Sequence, residues 1–328
     1  MNIIINTKME DLSQKKFFKI TNAEENHHNF QYIDGLNILK EPFAETGSCV
    51  PGGLYFTDAN NIFEFLDYGV YLREITLPFN DPNFKIVQDG TKWRANKIIL
   101  GKRYNLWEKE TFEYLVSMGA DVHAHNDLAI GYASEGGHLD IVKCLVSIGA
   151  DIRAGDDYAV RSASRNCHLD VVKFLVSEGA NIHAKNEYAV KSASENGHLD
   201  IVECLVSLGS DIHADNDYAF RSASENGHLE VVKYLVELGY YHAPVQPGRI
   251  ENNVVVTGEK VSIGVDIHAQ NEYAIRYASR NGHLDVVNYL VSVGANIHAE
   301  NEYPVRHASV NGYPEVVEYL VSIGAVLY

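Results

Sequence analysis

Glycines at 119, 149, 179, 209, 239, 264, 294 and 324 punctuate the chain, and every gap but one is 30 residues. The text around them repeats. One full unit reads Gly179-Ala180-Asn181-Ile182-His183-Ala184, then Asn186-Glu187-Tyr188-Ala189-Val190-Lys191-Ser192-Ala193-Ser194, then Asn196-Gly197-His198-Leu199-Asp200-Ile201-Val202 through Ser207. Self-similarity at a fixed period marks a solenoid, in which each unit buries its apolar face only against its neighbours. Such an array presents a long surface that suits another macromolecule; the repeat itself builds no catalytic pocket.

Within a unit, Tyr188 to Glu195 reads as a short helix with Ala189, Val190, Ala193 and Ser194 on a small-residue face, and Asn196-Gly197 ends it. Leu199, Ile201, Val202, Leu205, Val206 and Leu208 give a second helix by their i, i+3, i+4, i+7 spacing. Gly209 follows the last apolar residue, where a left-handed cap costs glycine nothing. Ser210 to Asp217 is the polar connection onward. The unit is helix, turn, helix, loop.

The run Gly-His-Leu-Asp/Glu-Val/Ile-Val occurs at Gly137–Val142, Gly197–Val202, Gly227–Val232 and Gly282–Val287, with a Cys167 variant and a Tyr313-Pro314 variant. Together with Leu-Val and Gly-Ala-Asp/Asn-Ile-His-Ala, it resembles the ankyrin repeat. The likeness covers roughly 91–328 and implies an all-α ankyrin-repeat solenoid of 30-residue units, preceded by a small α+β N-terminal domain over 1–90. The expected units are 91–120, 121–150, 151–180, 181–210, 211–240, a degenerate 241–265, 266–295 and 296–328. The usual ankyrin unit is about three residues longer, so the hairpin finger should shrink to a stubby loop with little strand. The family's Thr-Pro-Leu-His helix start becomes Tyr158–Arg161, Tyr188–Lys191, Tyr218–Arg221 and Tyr303–Arg306, so a tyrosine column must replace the Thr–His hydrogen bond. Pro304 fits a first helical turn. The combination resembles ankyrin proteins of giant viruses of amoebae.

The interval from Gly239 to Gly264 departs from the period. Pro244, Pro247 and Gly248 oppose a first helix there, while Val254–Val256 and Val261–Gly264 are expected to keep part of a second. This is either a decayed spacer that bends the stack or a selected interruption, and it should weaken the array only locally.

The formal charge of -17 is shared by both parts: 1–90 holds 7 Lys/Arg against 13 Asp/Glu, and 91–328 holds 20 against 31. No basic footprint exists for nucleic acid or for an anionic membrane surface. The Met1–Asn6 apolar run is too short for a signal peptide, and no stretch approaches the roughly 18 apolar residues of a membrane span. Cys49, Cys144, Cys167 and Cys204 form no C-x-x-C pair; Cys144 and Cys204 share a column with Phe174 and Tyr234 and read as small buried hydrophobes in a reducing setting. A soluble, cytoplasmic, monomeric protein is expected, in the host cytoplasm if viral.

Two histidine columns recur: His138, His168, His198, His228 and His283, and His123, His183, His213, His268 and His298. Stacked helices lie about 8–10 Å apart and zinc–nitrogen bonds are about 2 Å, so adjacent rungs cannot share an ion. No Cys or carboxylate is expected at ligand spacing beside them, so the imidazoles read as structural, bonded to loop backbone; no metal or other cofactor is expected. In ankyrin proteins the first-helix ends and loops line the concave face. The resemblance therefore makes Glu135, Arg165, Glu195, Glu225, Arg280 and Val310, and His125, Lys185, Asp215, Gln270 and Glu300, the candidate partner-binding positions. They vary within a uniform array, as a partner-specific surface would; free drift at exposed positions would look the same.

The first 90 residues differ in character and hold Pro42, Pro51, Pro78 and Pro82. Phe17–Ile20, Gly53–Thr57 and Tyr71–Leu77 read as strands, and Asp58–Leu66 as a capped helix. Trp93–Leu100 is expected to link this domain to the first repeat, whose second helix is Thr111–Met118. Gly53-Leu54-Tyr55-Phe56-Thr57, a helix, then Tyr71–Leu77 resembles over about 25 residues the strand, helix and strand of ADP-ribosyltransferases. No nicotinamide clamp accompanies it, and Glu74 is the one glutamate formally available. Three functions follow: a non-enzymatic scaffold gripping a host or viral protein, with the N-terminal domain capping the stack; a transferase-like enzyme whose repeats recruit substrate; and a ubiquitin-ligase adaptor, as some viral ankyrin proteins are. The chain ends inside a repeat at Tyr328 without an F-box-like tail, which weighs against the third.

Overall fold

The computed structural model describes residues 12–27, 29–47, 50–238, 250–251, 254–255 and 264–327. The chain forms two compact units, Met1–Ala159 and Val160–Tyr328.

The first unit opens with a seven-stranded antiparallel sheet in the order β4-β9-β6-β1-β5-β8-β7. Its strands are β1 (Phe17–Thr21), β4 (Gly35–Ile38), β5 (Leu54–Asp58), β6 (Tyr71–Thr76), β7 (Ile86–Asp89), β8 (Lys92–Ala95) and β9 (Lys97–Asn105); β2 (Asn26–His27) and β3 (Phe30–Gln31) make a separate hairpin. Side chains alternate across a strand, so Phe17, Leu54, Phe56, Ile75 and Trp93 share one core with Tyr32, Ala95 and Ile98. Phe17 meets Phe56 and Trp93 edge-on, with centroids 5.3 and 5.9 Å apart.

The expected strands at Phe17, Gly53 and Tyr71 are present. The linker expected over Trp93–Leu100 is not: Trp93 lies in β8, and Lys97 to Leu100 open β9. The sheet therefore runs to Asn105, past residue 90. Asp58 precedes a helix, α1 (Ala59–Tyr68), but its turns are 3₁₀ and the Asp58 side chain does not cap its backbone. The carboxylate is occupied instead by Lys15 Nζ at 2.9 Å and Asn61 Nδ2 at 2.7 Å.

In the same unit follow α2 (Lys109–Ser117), α3 (Ala124–Glu135) and α4 (Leu139–Ser147). Here the sheet domain occupies the place of a first repeat helix. α1 packs on α3, Asp121 N–H donates to Asn60 O at 3.2 Å, Phe63 stacks on Phe112 at 5.3 Å, and Trp107 stacks on His138 at 4.8 Å. The 91–120 interval thus contributes only a second helix, and α1 closes the exposed side of α3.

Helix α5 (Ala154–Arg165) contains the boundary between the units. The second unit continues with α6 (Leu169–Ser177), α7 (Ala184–Glu195), α8 (Leu199–Ser207), α9 (Ala214–Glu225) and α10 (Leu229–Glu237), and then α11 (Ala269–Arg280), α12 (Leu284–Ser292), α13 (Ala299–Val310) and α14 (Pro314–Ser322). First helices stack on first helices, α7 on α9 and α11 on α13; second helices do likewise, α6 on α8 and α12 on α14. Val171, Val172, Leu175, Val202 and Leu205 are wholly buried in these joints, as are Ala189, Ala193, Ala219 and Ala223 nearly so. Small residues let the first helices approach closely, and the aliphatic residues of the second fill the remaining width.

Each first helix begins with a short reversal of hand. Lys185, Asn186 and Glu187 have φ of 52, 55 and 61°, and the same three positions repeat the feature at 125–127, 215–217, 270–272 and 300–302. Right-handed helix starts at the following tyrosine, so the Tyr188 start and the first-turn place of Pro304 agree with the sequence reading. Left-handed residues other than glycine cost roughly 1–2 kcal/mol each. Among the described residues of 121–238 and 264–327 there is no strand.

The interruption differs most from expectation. Residues 239–249, 252–253 and 256–263 lie outside the described residues, so the readings at Pro244, Pro247 and Val261–Ile263 do too. Val254–Val255, expected in a helix, forms β11 and pairs antiparallel with β10 (Ile250–Glu251). More important, α9 packs directly on α11 and α10 on α12. Among the described residues the repeats on either side therefore stack with no unit between them, and relative to the 30-residue period the 25 residues 239–263 are an insertion; the degenerate unit expected at 241–265 lies largely outside the described residues.

Candidate interaction surface

The left-handed turns are held by three sets of bonds, all traceable to repeated residues. At the turn's third position sits a buried carboxylate: Asp127, Asp157, Glu187, Asp217 and Glu272 are 6–8% exposed. It accepts from the histidine four residues earlier: His123 Nδ1 to Asp127 at 2.9 Å, His183 to Glu187 at 2.5 Å, His213 to Asp217 at 2.7 Å and His298 to Glu302 at 2.6 Å. The second histidine column therefore bonds a carboxylate rather than loop backbone. Its signal is in the sequence, as Asp or Glu four residues after each histidine of this column. The same carboxylates reach the next loop: Asp151 N–H donates to Asp127 at 2.9 Å, Asn296 N–H to Glu272 at 3.2 Å and Val326 N–H to Glu302 at 3.3 Å.

At the turn's second position Asn126, Asn186, Asn216, Asn271 and Asn301 supply the residue type that best tolerates this conformation. The third set comes from the first helix. Arg221 donates from Nε to Asn216 O and from Nη2 to Asp215 O, both at 2.9 Å; Arg306 repeats this on Asn301 O at 2.7 Å and Glu300 O at 3.1 Å.

The first histidine column behaves as read. His198 Nε2 donates to Arg165 O, and His228 Nε2 to Glu195 O, each at 2.9 Å and each across 33 residues. These imidazoles tie one repeat to the one before it. Burial pushes the His228 pKa down, against the raising effect of the Glu195 carbonyl. Gly197 (φ 75°) is required here twice over, because a Cβ would also enter the His228 ring.

The tyrosine column likewise acts between repeats. Tyr158 donates its hydroxyl to Glu135 at 2.9 Å within the first unit. In the second, Tyr218 reaches Glu195 at 3.5 Å and Tyr273 reaches Glu225 at 2.5 Å. Burial, then the Glu225 hydrogen bond, raises the Tyr273 pKa. Cations of each first helix lie over the tyrosine of the next: Arg161 over Tyr188 at 5.3 Å, Arg221 over Tyr273 at 4.9 Å and Arg276 over Tyr303 at 5.2 Å.

The candidate partner-binding residues now divide. Glu135, Glu195 and Glu225 serve as acceptors for the next repeat's tyrosine, and Glu225 is half-buried. Asp215 accepts from Asn186 Nδ2 at 2.8 Å and pairs with Lys191, whose hydrogen bond is the main cause of its lowered pKa. Glu300 accepts from Asn271, and His125 Nε2 lies 3.4 Å from Glu64 of α1. Arg165, Lys185, Gln270, Arg280 and Val310 are exposed, Val310 to 82%. Among the described residues no group of three or more His, Cys, Asp or Glu could hold a metal ion, and no helix is long and apolar enough to cross a membrane. Cys144 and Cys204 are half-buried rather than fully buried.

The profile described as ankyrin repeats (3 copies) matches this chain at 104–186, 161–245 and 254–327, together more than half of it. The chain belongs to the ankyrin repeat family. Its curated relatives include ankyrin repeat proteins of Acanthamoeba polyphaga mimivirus. R868 is 46% identical over 142 residues, 42% of this chain and 70% of that one. R229 is 43% identical over 151 residues, 42% of this chain and 49% of that one, and R896 is 45% identical over 129 residues, 38% and 39%. The chain thus spans about half or less of the length of the latter two.

In this ankyrin setting Glu74, the carboxylate raised by the transferase likeness, has a structural occupation. Its Oε1 accepts the hydroxyls of Tyr104 at 2.5 Å and Tyr114 at 2.7 Å, which joins β6 to β9 and to α2.

Proposed function

We propose that the chain is a non-catalytic scaffold that grips a host or viral protein through its first-helix ends and left-handed turns. Ankyrin repeats are in general protein–protein interaction modules, and this reading narrows that role to particular positions. The observation that carries it is the set of hydrogen bonds that pins the turns. Strained backbone held by a buried carboxylate, an imidazole and a guanidinium presents outward side chains with little ordering cost on binding. In the second unit these are Arg165, Lys185, Gln270, Arg280 and Val310; in the first, His125 and Glu135 stand on the same columns, beside Glu64 and Tyr158 respectively. The cation and carboxylate mixture suits a polar, charge-patterned protein surface, and the acidic balance disfavours nucleic acid. A monomer in the cytoplasm fits this role, with the sheet domain closing the side of α3. The Glu74 clamp supports reading that domain as structural rather than transferase-like.

Charge reversal tests the reading. Arg165→Glu, Lys185→Glu and Arg280→Glu should each weaken partner capture from infected or transfected cells, whereas Lys173→Glu, on the exposed side of a second helix, should not. Equal capture by all four variants would overturn the assignment.

A further inference from the structure

The sheet domain carries a feature that the array does not use. Behind β1 and β5 lies a cavity of about 450 Å³, within the size range of small-molecule sites. Its walls are aromatic and mutually braced: Phe30 packs on Tyr32 with centroids 4.8 Å apart, Phe65 on Tyr68 at 5.8 Å, and His27 on Tyr68 at 6.1 Å.

Into this setting β1 delivers Lys19, only 5% exposed. Its Nζ donates to Tyr55 O at 2.9 Å and lies 4.5 Å from the Tyr32 ring centroid. Among the described residues it has no carboxylate partner. An ammonium has three donors, and here one carbonyl and one ring face are what it receives for leaving water, which is poor compensation for a buried charge. Burial accordingly pulls its pKa down to about 7. The surrounding charges do not relieve it. Arg73 stands opposite Lys19 in the β1–β6 register and is itself paired with Glu25 and Asp34. Lys92 sits at the rim over Tyr55, at 5.2 Å. Glu41 lines the cavity, but its Oε1 accepts from Gly52 N–H at 3.2 Å.

We propose that this cavity binds a small aromatic monocarboxylate, whose carboxylate pairs with the Lys19 ammonium and whose ring fills the aromatic walls. The two N–H groups left on Lys19 match the two oxygens of one carboxylate. A phosphate dianion would ask for further buried cations, which the cavity does not offer, and a sugar would strand its hydroxyls against phenyl faces. Binding is non-covalent and independent of the partner role proposed for the repeats.

The test uses the full chain and titration calorimetry with benzoate, 4-hydroxybenzoate and indole-3-carboxylate, each beside its uncharged amide. At least one carboxylate should bind tenfold or more tightly than its amide. Binding near pH 8 should draw a proton from buffer, as Lys19 is recharged by its new partner. Lys19→Met should still unfold in one cooperative transition and should lose both the preference and the proton uptake. The proposal is overturned if no carboxylate binds, if amides bind as well as acids, or if Lys19→Met retains the preference.

Discussion

Tyr273 donates its hydroxyl to Glu225 across 48 residues of sequence, where Tyr218 reaches Glu195 across 23. The difference of 25 recurs in every bond that crosses the same joint. His283 Nε2 reaches Glu225 O across 58 residues against 33 elsewhere, and Asp266 N–H reaches Asp217 across 49 against 24. The insertion leaves the joint chemically the same as its neighbours.

Removing residues 239–263, so that Leu238 runs into Gly264, should therefore preserve a single cooperative unfolding transition. The gain from a shorter loop is small, about 1 kcal/mol or less. Tyr273→Phe should cost about 1 kcal/mol in both proteins. Denaturant unfolding followed by circular dichroism measures each; a second transition, or loss of the α11–α14 segment on deletion, would refute the continuity of the stack.

Asp217 holds its turn through His213 and also accepts from Asp266 N–H at 3.4 Å. Asp217→Ala removes a charged acceptor from under three left-handed residues and should cost about 2–3 kcal/mol. Asp217→Asn keeps one acceptor oxygen and should cost about half of that, read as a shift of the urea midpoint.

Cys167 stands where the neighbouring units have glycine, with φ of 65°. Its side chain is exposed, so the strain is not offset by burial. Cys167→Gly should stabilise the protein by about 1 kcal/mol. A thermal melt that falls instead of rising would show that the thiol has a packing role.

His228 faces His198, His283 and the Glu195 carbonyl, and its folded pKa lies below the unfolded value of 6.5. The unfolded chain thus binds the proton first as pH falls. The stability His228 contributes is complete above pH 6.5 and is lost as pH drops through the folded value. His228→Gln keeps a donor without a titrating group, so the difference in unfolding free energy between variant and parent should change between pH 7 and 5 in the variant's favour.

Lys19 titrates in the opposite range. Its folded pKa of about 7 lies below the unfolded 10.5, so the unfolded chain holds an extra proton between those values and stability rises with pH across them. Lys19→Met should flatten that rise, so the stability of the variant relative to the parent should be greater near pH 6 than near pH 9.

Much of this was legible in the repeat itself. Helix pairs such as Tyr188–Glu195 and Leu199–Leu208 announce themselves through apolar spacing and glycine, because local propensity and stacking demand the same residues. The turn carboxylates were not recognised because Asp217 in a polar loop looks solvated; only the three-dimensional joint reveals that it is buried and bonded to both His213 and Asp266 N–H. Strands β7 to β9 were missed for a related reason. Lys92-Trp93-Arg94-Ala95 buries a wholly enclosed arginine, held by the Ala44 and Gly47 carbonyls at 2.9 and 2.8 Å, and such a residue masks the alternation that marks a strand. At the candidate surface, sequence variation located the columns, but it could not separate acceptors such as Glu195 from outward residues such as Arg165.

The joint between Glu225 and Tyr273 has an evolutionary corollary. A rack whose every rung is fastened by the same few clips can be spliced between rungs without retooling, so new peptide can be auditioned there while the old architecture keeps working.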